Sequence, residues 1–308
     1  MPAGMAGPLP VVVVHFQAPE WCASSAAAMA ASSGVDVDVI VVDNSGELAA
    51  DQRGLPPAAT VIPAGTNAGY AGGANLGIRH ALATHPDAPY VVVCSHDFHP
   101  DAECFSRLVE AADGDPTLGV LAPRLTAPQP SIGWWFDGRR STNIEPRDDA
   151  PAVFESDWVS GTCMLLRSDC LRALGGFDEG FRSYVEDVDM CLRVRDAGRR
   201  VATVVAATGH GLGSVSSVRF RMTAINVALL AAKREGARAA WLLVGRYVLR
   251  FLRSGLLAAL PSTRGLARRA ASLRYGAARG GAAWYLIRSR LINVYARTPS
   301  RFEPTFGP

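Results

Sequence analysis

Lysine is almost missing from this 308-residue chain: Lys233 stands alone among 31 basic residues, and arginine supplies the rest. Acidic residues are missing from one region, because none stands between Glu235 and Glu303. Residues 233–308 therefore carry 15 basic against 2 acidic groups, a net +13, whereas residues 1–232 carry 16 against 26, a net −10. The formal total of +3 conceals that division. No uninterrupted apolar run approaches the ~20 residues that a bilayer-crossing helix needs, which argues against a spanning segment. Met1 to Pro10 has neither a basic region nor a long apolar core, so a secretory signal is not expected. No internal repeat is evident. The six cysteines, at positions 22, 94, 104, 163, 170 and 191, show no C-x-x-C spacing. Several sit in apolar runs, so buried free thiols of a reducing compartment are expected rather than disulfides or a zinc site.

What is present fits a large α/β domain. A hydrophobic fraction of 49% over 308 residues is enough for a sizeable core. Val11 to Val14, Val37 to Val42 and Tyr90 to Cys94 are short β-branched runs bounded by Pro, Gly or Asp, with helix-like stretches between them. Continuous apolar runs of this kind predict parallel strands buried on both faces. The second run ends in Asp43-Asn44-Ser45-Gly46, which sets polar side chains at the carboxyl end of a strand, where open α/β sheets bind ligands.

Trp158 to Val201 is the richest stretch. Val188, Cys191 and Leu192 recur at helical spacing, Asp189 and Arg193 stand one turn apart, and Gly198 supplies a stop, so a helix is expected with Glu186, Asp187 and Asp189 in its first turn. The helix dipole favours an ionised Asp187 while its acidic neighbours oppose it, an arrangement suited to accepting a proton. An acidic helix N-terminus with no chemistry attached is the other reading of the same residues. The glycine-rich loop Asn67 to Gly77 is open in the same way. Its glycines allow backbone to approach a ligand before a helix begins, yet it lies too late in the chain for a dinucleotide fingerprint, which follows the first strand.

The words themselves form a pattern: N-x-G-Y-A-x-G-x-N-x-G over Asn67–Gly77, Gly161, Arg167, G-G-F-D-E over Gly175–Glu179, and Y-V-E-D-V-D over Tyr184–Asp189. This pattern resembles the family 2 inverting glycosyltransferases, in particular their rhamnosyltransferase-like branch. The resemblance implies a GT-A type, Rossmann-like, mostly parallel sheet flanked by helices, with residues 1–232 as the transferase domain. Residues 9–125 would bind nucleotide-sugar and 126–232 would hold the acceptor and the reacting groups, while 233–308 would be a basic helical extension. It implies Asp187 as the base with Glu186 shaping the site. Asp43 would contact the nucleoside, and Asn67, Gly69, Gly73, Asn75 and Asp97 the donor.

In the same family a D-x-D element holds a divalent ion, Mg²⁺ or Mn²⁺. Here that position reads Ser95-His96-Asp97, so a single carboxylate serves, with diphosphate oxygens completing the shell. His210, in T-G-H-G-L-G-S over Thr208–Ser214, is either a loop histidine or, by resemblance, a second contact to metal or diphosphate. His99 is read as a polar residue at the strand end rather than a ligand. The implied donor is dTDP-rhamnose or a UDP-sugar, and the basic tail points to a lipid-linked or cell-envelope glycan acceptor on the cytoplasmic face of the membrane. Two other classes are carried beside it: a nucleotide-sugar-binding partner without turnover, and a nicotinamide-dependent oxidoreductase.

Aromatic residues complete the inventory. Trp134 and Trp135, in a Gly-bounded loop, and Trp158 are either acceptor-facing or core. In the tail, Arg246, Arg250 and Arg253 fall on one helical stripe with Trp241, Val244, Val248 and Phe251 roughly opposite. That is the pattern either of a helix lying on an anionic membrane surface or of one packed against the rest of the protein. Nucleic acid is not expected as a partner, because no recognisable module accompanies the arginines.

Overall fold

The computed structural model describes residues 7–48, 54–138, 140–212, 217–259 and 266–297. Ser214 therefore lies outside the described residues. Chain contacts separate two compact units, one of residues 7–182 and 186–212, the other of residues 183–185 and 217–297.

In the first unit the chain alternates β1 (Leu9–His15), α1 (Pro19–Ala30), β2 (Val37–Asp43), β3 (Thr60–Pro63), α2 (Gly69–Thr84) and β4 (Tyr90–Ser95). It continues through β5 (Phe98–Pro100), α3 (Cys104–Gly114), β6 (Leu118–Leu125), β7 (Trp134–Phe136), β8 (Ser141–Asn143), β9 (Val153–Glu155) and β10 (Cys163–Arg167). Then come α4 (Ser168–Leu174), a 3-10 turn at Glu179–Phe181, α5 (Glu186–Asp196) and β11 (Arg200–Gly211). The main sheet runs β3-β2-β1-β4-β10-β6-β11-β5, with β9 against β11, and β7 and β8 form a separate hairpin.

The first four strands are parallel, as the apolar runs require. Alternation splits their side chains between two cores. Val11, Val13, Val39 and Val41 pack with Cys22, Ala26 and Met29 of α1 and Phe105 and Leu108 of α3. Val12, Val14, Ile40 and Val42 pack on the other face with Ala74 and Ile78 of α2 and Met190 and Val194 of α5. The expected mostly parallel sheet is thus present, with β10 as the main departure, inserted antiparallel between β4 and β6. All six cysteines are buried and free.

Strand order reverses between β1 and β4, so the switch point of the sheet opens beyond their carboxyl ends. His15, Asp43 and Ser95 close the three strands that meet there. Because β10 pairs antiparallel with β4, in the register Cys163 opposite Cys94, its amino end reaches the same edge. The topology therefore gathers Gly161 and Thr162 beside Ser95 and Asp97.

The second unit is helical: α6 (Ser217–Glu235), α7 (Ala237–Ala259), α8 (Leu266–Ser289) and α9 (Leu291–Arg297). The division expected at residues 232 and 233 falls inside α6. The Asn226 side chain of α6 donates to the carbonyls of Ser183 and Tyr184 at 2.9 and 2.7 Å. Glycines let α7 and α8 approach closely: a Cβ at Gly276 would stand 2.6 Å from Ser254 Cβ, and one at Gly280 2.8 Å from the Phe251 ring. Helix α7 buries Ala240, Leu243, Val244 and Tyr247. Of the apolar stripe expected to lie opposite the arginines, Val244 is buried, Trp241 is half-buried, and Val248 and Phe251 are exposed. The packed face of α7 is therefore rotated from the one inferred from the arginine spacing. No helix among the described residues is long and apolar enough to cross a membrane.

Candidate active site

The expected helix with three acids in its first turn is α5. Its acids have separate environments. Asp189 is fully buried and pairs with Arg193 at 2.7 Å, and Arg193 also donates to the carbonyls of Leu174 and Gly176. That pair ties α5 to the Gly175–Gly176 turn, where both residues have positive φ. Glu186 is 5% exposed and its Oε2 has no hydrogen-bond partner. Burial, with the Asp187 charge beside it, holds the Glu186 carboxyl well above the usual carboxylate range. Asp187 is only half-buried, and its Oδ2 accepts the Gly161 amide at 2.9 Å. The cluster thus sorts into a structural ion pair, a buried acid whose environment favours its neutral form, and one carboxylate within reach of solvent.

Gly161 is the hub. Its carbonyl accepts a hydrogen bond from the Tyr70 hydroxyl while its amide donates to Asp187. Tyr70 sits in the first turn of α2, edge-on to Phe177 at 6.2 Å, and burial keeps its phenol protonated far past neutral pH. Neither Tyr70 nor Gly161 was assigned a task on sequence grounds. The aromatic in the N-x-G-Y-A word was the available signal, but its partner lies 91 residues away.

Next to Gly161, the Thr162 carbonyl accepts the Ser95 amide at 3.1 Å, and the Ser95 hydroxyl donates to Asp97 Oδ1 at 2.6 Å. Asp97 Oδ2 lies 3.9 Å from where a Cβ would stand at Gly211, and the Thr162 methyl lies 3.5 Å from the same point. Among the described residues no cluster of three His, Cys, Asp or Glu side chains could hold a metal alone. A hard cation at Asp97 fits this donor set as one carboxylate, with the remaining positions left to water and a bound diphosphate. His210 is placed elsewhere. It pairs across strands with His99 and stacks on it, centroids 5.3 Å apart and planes 15° apart, while Ser24 Oγ meets His99 Nε2 at 3.0 Å. Alternation along β11 sets the His210 ring on the side opposite the Gly211 position, beside which Asp97 lies.

Asp43 closes β2. Burial opposes its charge, but the amides of Leu48, Ser45 and Gly46 and the Ser45 hydroxyl, each at 2.9 Å, outweigh that and hold its carboxyl below the usual range. His15 stands beside it, fully buried, with Nε2 3.9 Å from Asp43 Oδ1 and neither ring nitrogen hydrogen-bonded. Burial and the neighbouring His96 lower its pKa to about 4, against the pull of Asp43, so the ring is neutral. His15 and His96 meet edge to face at 5.3 Å. This orphaned imidazole at the switch point went unnoticed in the sequence, where a single histidine after a strand carries no signal.

The glycine-rich loop serves the packing. Asn67 Oδ1 accepts the Gly69 amide at 2.9 Å, and Gly69 has φ +75° with the Arg182 carbonyl 2.6 Å from where its Cβ would be. A Cβ at Gly73 would meet Asn44 Nδ2 at 2.6 Å and Val14 at 2.9 Å. Asn75 is buried, with its amide exchanging two 2.8 Å bonds with the Phe177 backbone. Of these four, Gly73 and Asn75 are spent on holding α2 against the sheet and the G-G-F-D-E turn. Trp134 and Trp158 stack at 4.5 Å, whereas Trp135 is about half exposed and tilts toward Phe154 at 6.2 Å.

A parallel α/β half with acids gathered at its switch point, followed by an antiparallel strand whose amino end meets the start of helix α5 at the same edge, defines a GT-A type glycosyltransferase. The model of the glycosyl transferase family 2 matches residues 11–175, more than half of the chain, and the chain belongs to that family. N-acetylglucosaminyl-diphospho-decaprenol L-rhamnosyltransferase of Mycobacterium tuberculosis (strain ATCC 25618 / H37Rv) is 26% identical over 223 residues, 62% of this chain and 71% of its own length. Rhamnosyltransferase WbbL of Escherichia coli (strain K12) is 44% identical over 69 residues, 22% of this chain and 26% of its own. Two solved structures share the fold. GalNAc-T7 with UDP, GalNAc and Mn²⁺ has a TM-score of 0.60 at 11% identity and covers 95% of this chain, which spans 58% of that protein's length. The mannosyltransferase PcManGT of Pyrobaculum calidifontis with GDP-Man and Mn²⁺ has a TM-score of 0.56 at 16% identity, covering 91% of this chain and 86% of its own.

Proposed function

We propose that this glycosyltransferase moves rhamnose, or a similar hexose, from a nucleotide diphosphate to a hydroxyl of a lipid-linked or cell-envelope glycan, with inversion at the anomeric carbon. The observation that carries the reading is the placement of Asp187. Its carboxylate is half open to solvent, oriented by the Gly161 amide, and linked through Thr162 to the Ser95–Asp97 element. An acceptor hydroxyl at Asp187 would lose its proton to the carboxylate as it attacks the donor's anomeric carbon. Burial and the Asp187 charge favour the neutral form of Glu186, which in this reading would add no second negative charge there and would donate a hydrogen bond to a sugar hydroxyl.

Asp97, with Ser95 fixing one of its oxygens, would hold a divalent cation, Mg²⁺ or Mn²⁺. Such an ion, when bound, neutralises charge developing on the departing diphosphate. Asp43 and neutral His15 would face the nucleoside at the switch point, and Asn67 with Gly69 would line the donor side. Trp135, and the stacked Trp134 and Trp158, would offer aromatic faces to the acceptor sugar. The names of the two relatives support rhamnose, and that of the mycobacterial enzyme supports a polyprenyl-diphosphate-linked acceptor. A protein using an acceptor of that kind would work at the inner face of the cytoplasmic membrane.

The test is transfer from dTDP-rhamnose, UDP-sugars and GDP-mannose to a short-chain polyprenyl-diphospho-N-acetylglucosamine, with and without Mn²⁺ or Mg²⁺. Metal-dependent rhamnose transfer, lost in Asp187→Asn, is the expected result. Donor binding without transfer to any glycan acceptor would make the protein a binding partner in glycan assembly instead.

A further inference from the structure

We propose that the outward faces of α7 and α8 form a docking surface for a bilayer bearing anionic headgroups; the proposal deepens the membrane-side reading above but rests on different residues from the transfer site. On α7, Leu242, Leu249 and Leu252 are 57%, 67% and 59% exposed, and their spacing of seven and three residues sets them on one stripe. Arg238, Arg246 and Arg253 are exposed along that same stripe. On α8, Leu273, Trp284 and Ile287 are exposed at spacings of eleven and three, again one face, with Arg274 and Arg288 beside them. The Arg288 guanidinium lies 5.8 Å over the Trp284 ring.

Exposed apolar side chains continue from the leucine stripe around α7 to α8: Leu252, Val248 and Phe251 are 59%, 36% and 46% exposed at helical spacing, and the Phe251 ring, on the flank next to the buried face, rests over Gly280 of α8, one turn before Trp284. A run of large apolar side chains turned to solvent on two adjoining helices is not the scatter of single residues normal for a protein surface. Three features select a lipid surface over a protein groove as its occupant. The apolar side chains are interleaved with arginines, and no acid stands between Glu235 and Glu303 to oppose an anionic surface. Arginine rather than lysine supplies the charge, in a fork that pairs with phosphate oxygens through two bonds. Trp284, Tyr285 and Tyr275 are exposed aromatics of the kind that settle at the headgroup level. Neither helix is long and apolar enough to cross, so the leucines would enter only the outer acyl region.

Full-length protein is sedimented with vesicles of phosphatidylcholine alone and of phosphatidylcholine mixed with phosphatidylglycerol, and the variant Leu249→Gln/Trp284→Gln, which leaves charge unchanged, is run beside it. Both positions are mostly exposed, so circular dichroism and thermal midpoint should match the parent. Binding to the mixed vesicles is expected to be at least about tenfold tighter than to the neutral ones, given ~1 kcal/mol per basic residue near an anionic surface. The variant should bind the mixed vesicles about tenfold more weakly or worse, having lost two apolar anchors. Equal binding by parent and variant, or no preference for the anionic lipid, overturns the proposal. So does a dimer, seen by analytical ultracentrifugation without lipid, that the variant dissociates. Calorimetric binding of dTDP-rhamnose keeps the two readings apart. Vesicle binding without donor binding sinks the donor assignment and leaves the docking surface standing, and the converse sinks the surface alone.

Discussion

The Ser95 hydroxyl donates to Asp97 Oδ1 at 2.6 Å, so the residue standing where related enzymes carry a first aspartate serves the remaining carboxylate rather than a metal. A serine cannot add charge to the site. It can fix the orientation of Asp97, whose Oδ2 lies on the Gly211 side.

Two substitutions separate charge from orientation. Asp97→Ala should abolish the dependence of donor binding on Mn²⁺ or Mg²⁺, as read by calorimetry with dTDP-rhamnose. Ser95→Ala removes one hydrogen bond to a charged group, worth ~1.5–3 kcal/mol, and should weaken metal-dependent binding by about tenfold or more without abolishing it. Unchanged metal dependence in Asp97→Ala would move the ion site elsewhere.

Asp187→Asn tests the base while its amide oxygen still accepts the Gly161 N–H, at the cost of the bond that the other carboxylate oxygen takes from the Val188 amide at 2.9 Å. The Gly161 peptide and its bond from Tyr70 should therefore stay in place. Turnover should fall by ~10²–10⁴, the usual contribution of a positioned general base, while donor affinity stays within about twofold. Single-turnover transfer at the parental rate would remove Asp187 from that role.

Much of this was legible in the chain, and the limit is physical. Val11–Val14, Val37–Val42 and Tyr90–Cys94 announced β1, β2 and β4 because strands buried on both faces must be apolar throughout. Helix α5 announced itself by spacing. Strand β10 did not reveal its direction, because Cys163–Arg167 reads as any short apolar run and its antiparallel partners lie 69 or more residues away at the ladder with β4. The isolated His15, the Tyr70–Gly161–Asp187 link and the stacking of His99 on His210 are likewise products of tertiary pairing. On α7 the periodicity showed an amphipathic helix, but Gly276 and Gly280 on α8 set which side is covered.

Gly77 offers a stability test of the glycine-rich word that is independent of chemistry. A Cβ there would stand 2.2 Å from Val12 Cγ1 and 3.0 Å from Val42 Cγ2, between α2 and the sheet. Gly77→Ala should cost ~1–3 kcal/mol by overpacking, lowering the urea midpoint. A loss near zero would mean that α2 can lift from β1 without penalty.

Glu186 supplies the pH dependence. Its carboxyl, raised by burial and by the charge of Asp187, keeps its proton in the folded protein well above the ~4.3 at which an unfolded glutamate loses it. Between those two values the native state binds a proton that the unfolded state has released, so this group's contribution to stability declines as pH rises through the window. Glu186→Gln keeps the shape and the neutral state at every pH and removes the decline. The variant should therefore be more stable than the parent above about pH 5, by a margin that widens as pH rises through that window, in urea denaturation followed across it. It should also keep most of its transfer activity, because the working form of Glu186 in this site is the uncharged one. A constant stability difference across the range, together with lost turnover, would show that Glu186 is ionised in the folded protein and that two negative charges, not one, stand at the start of α5.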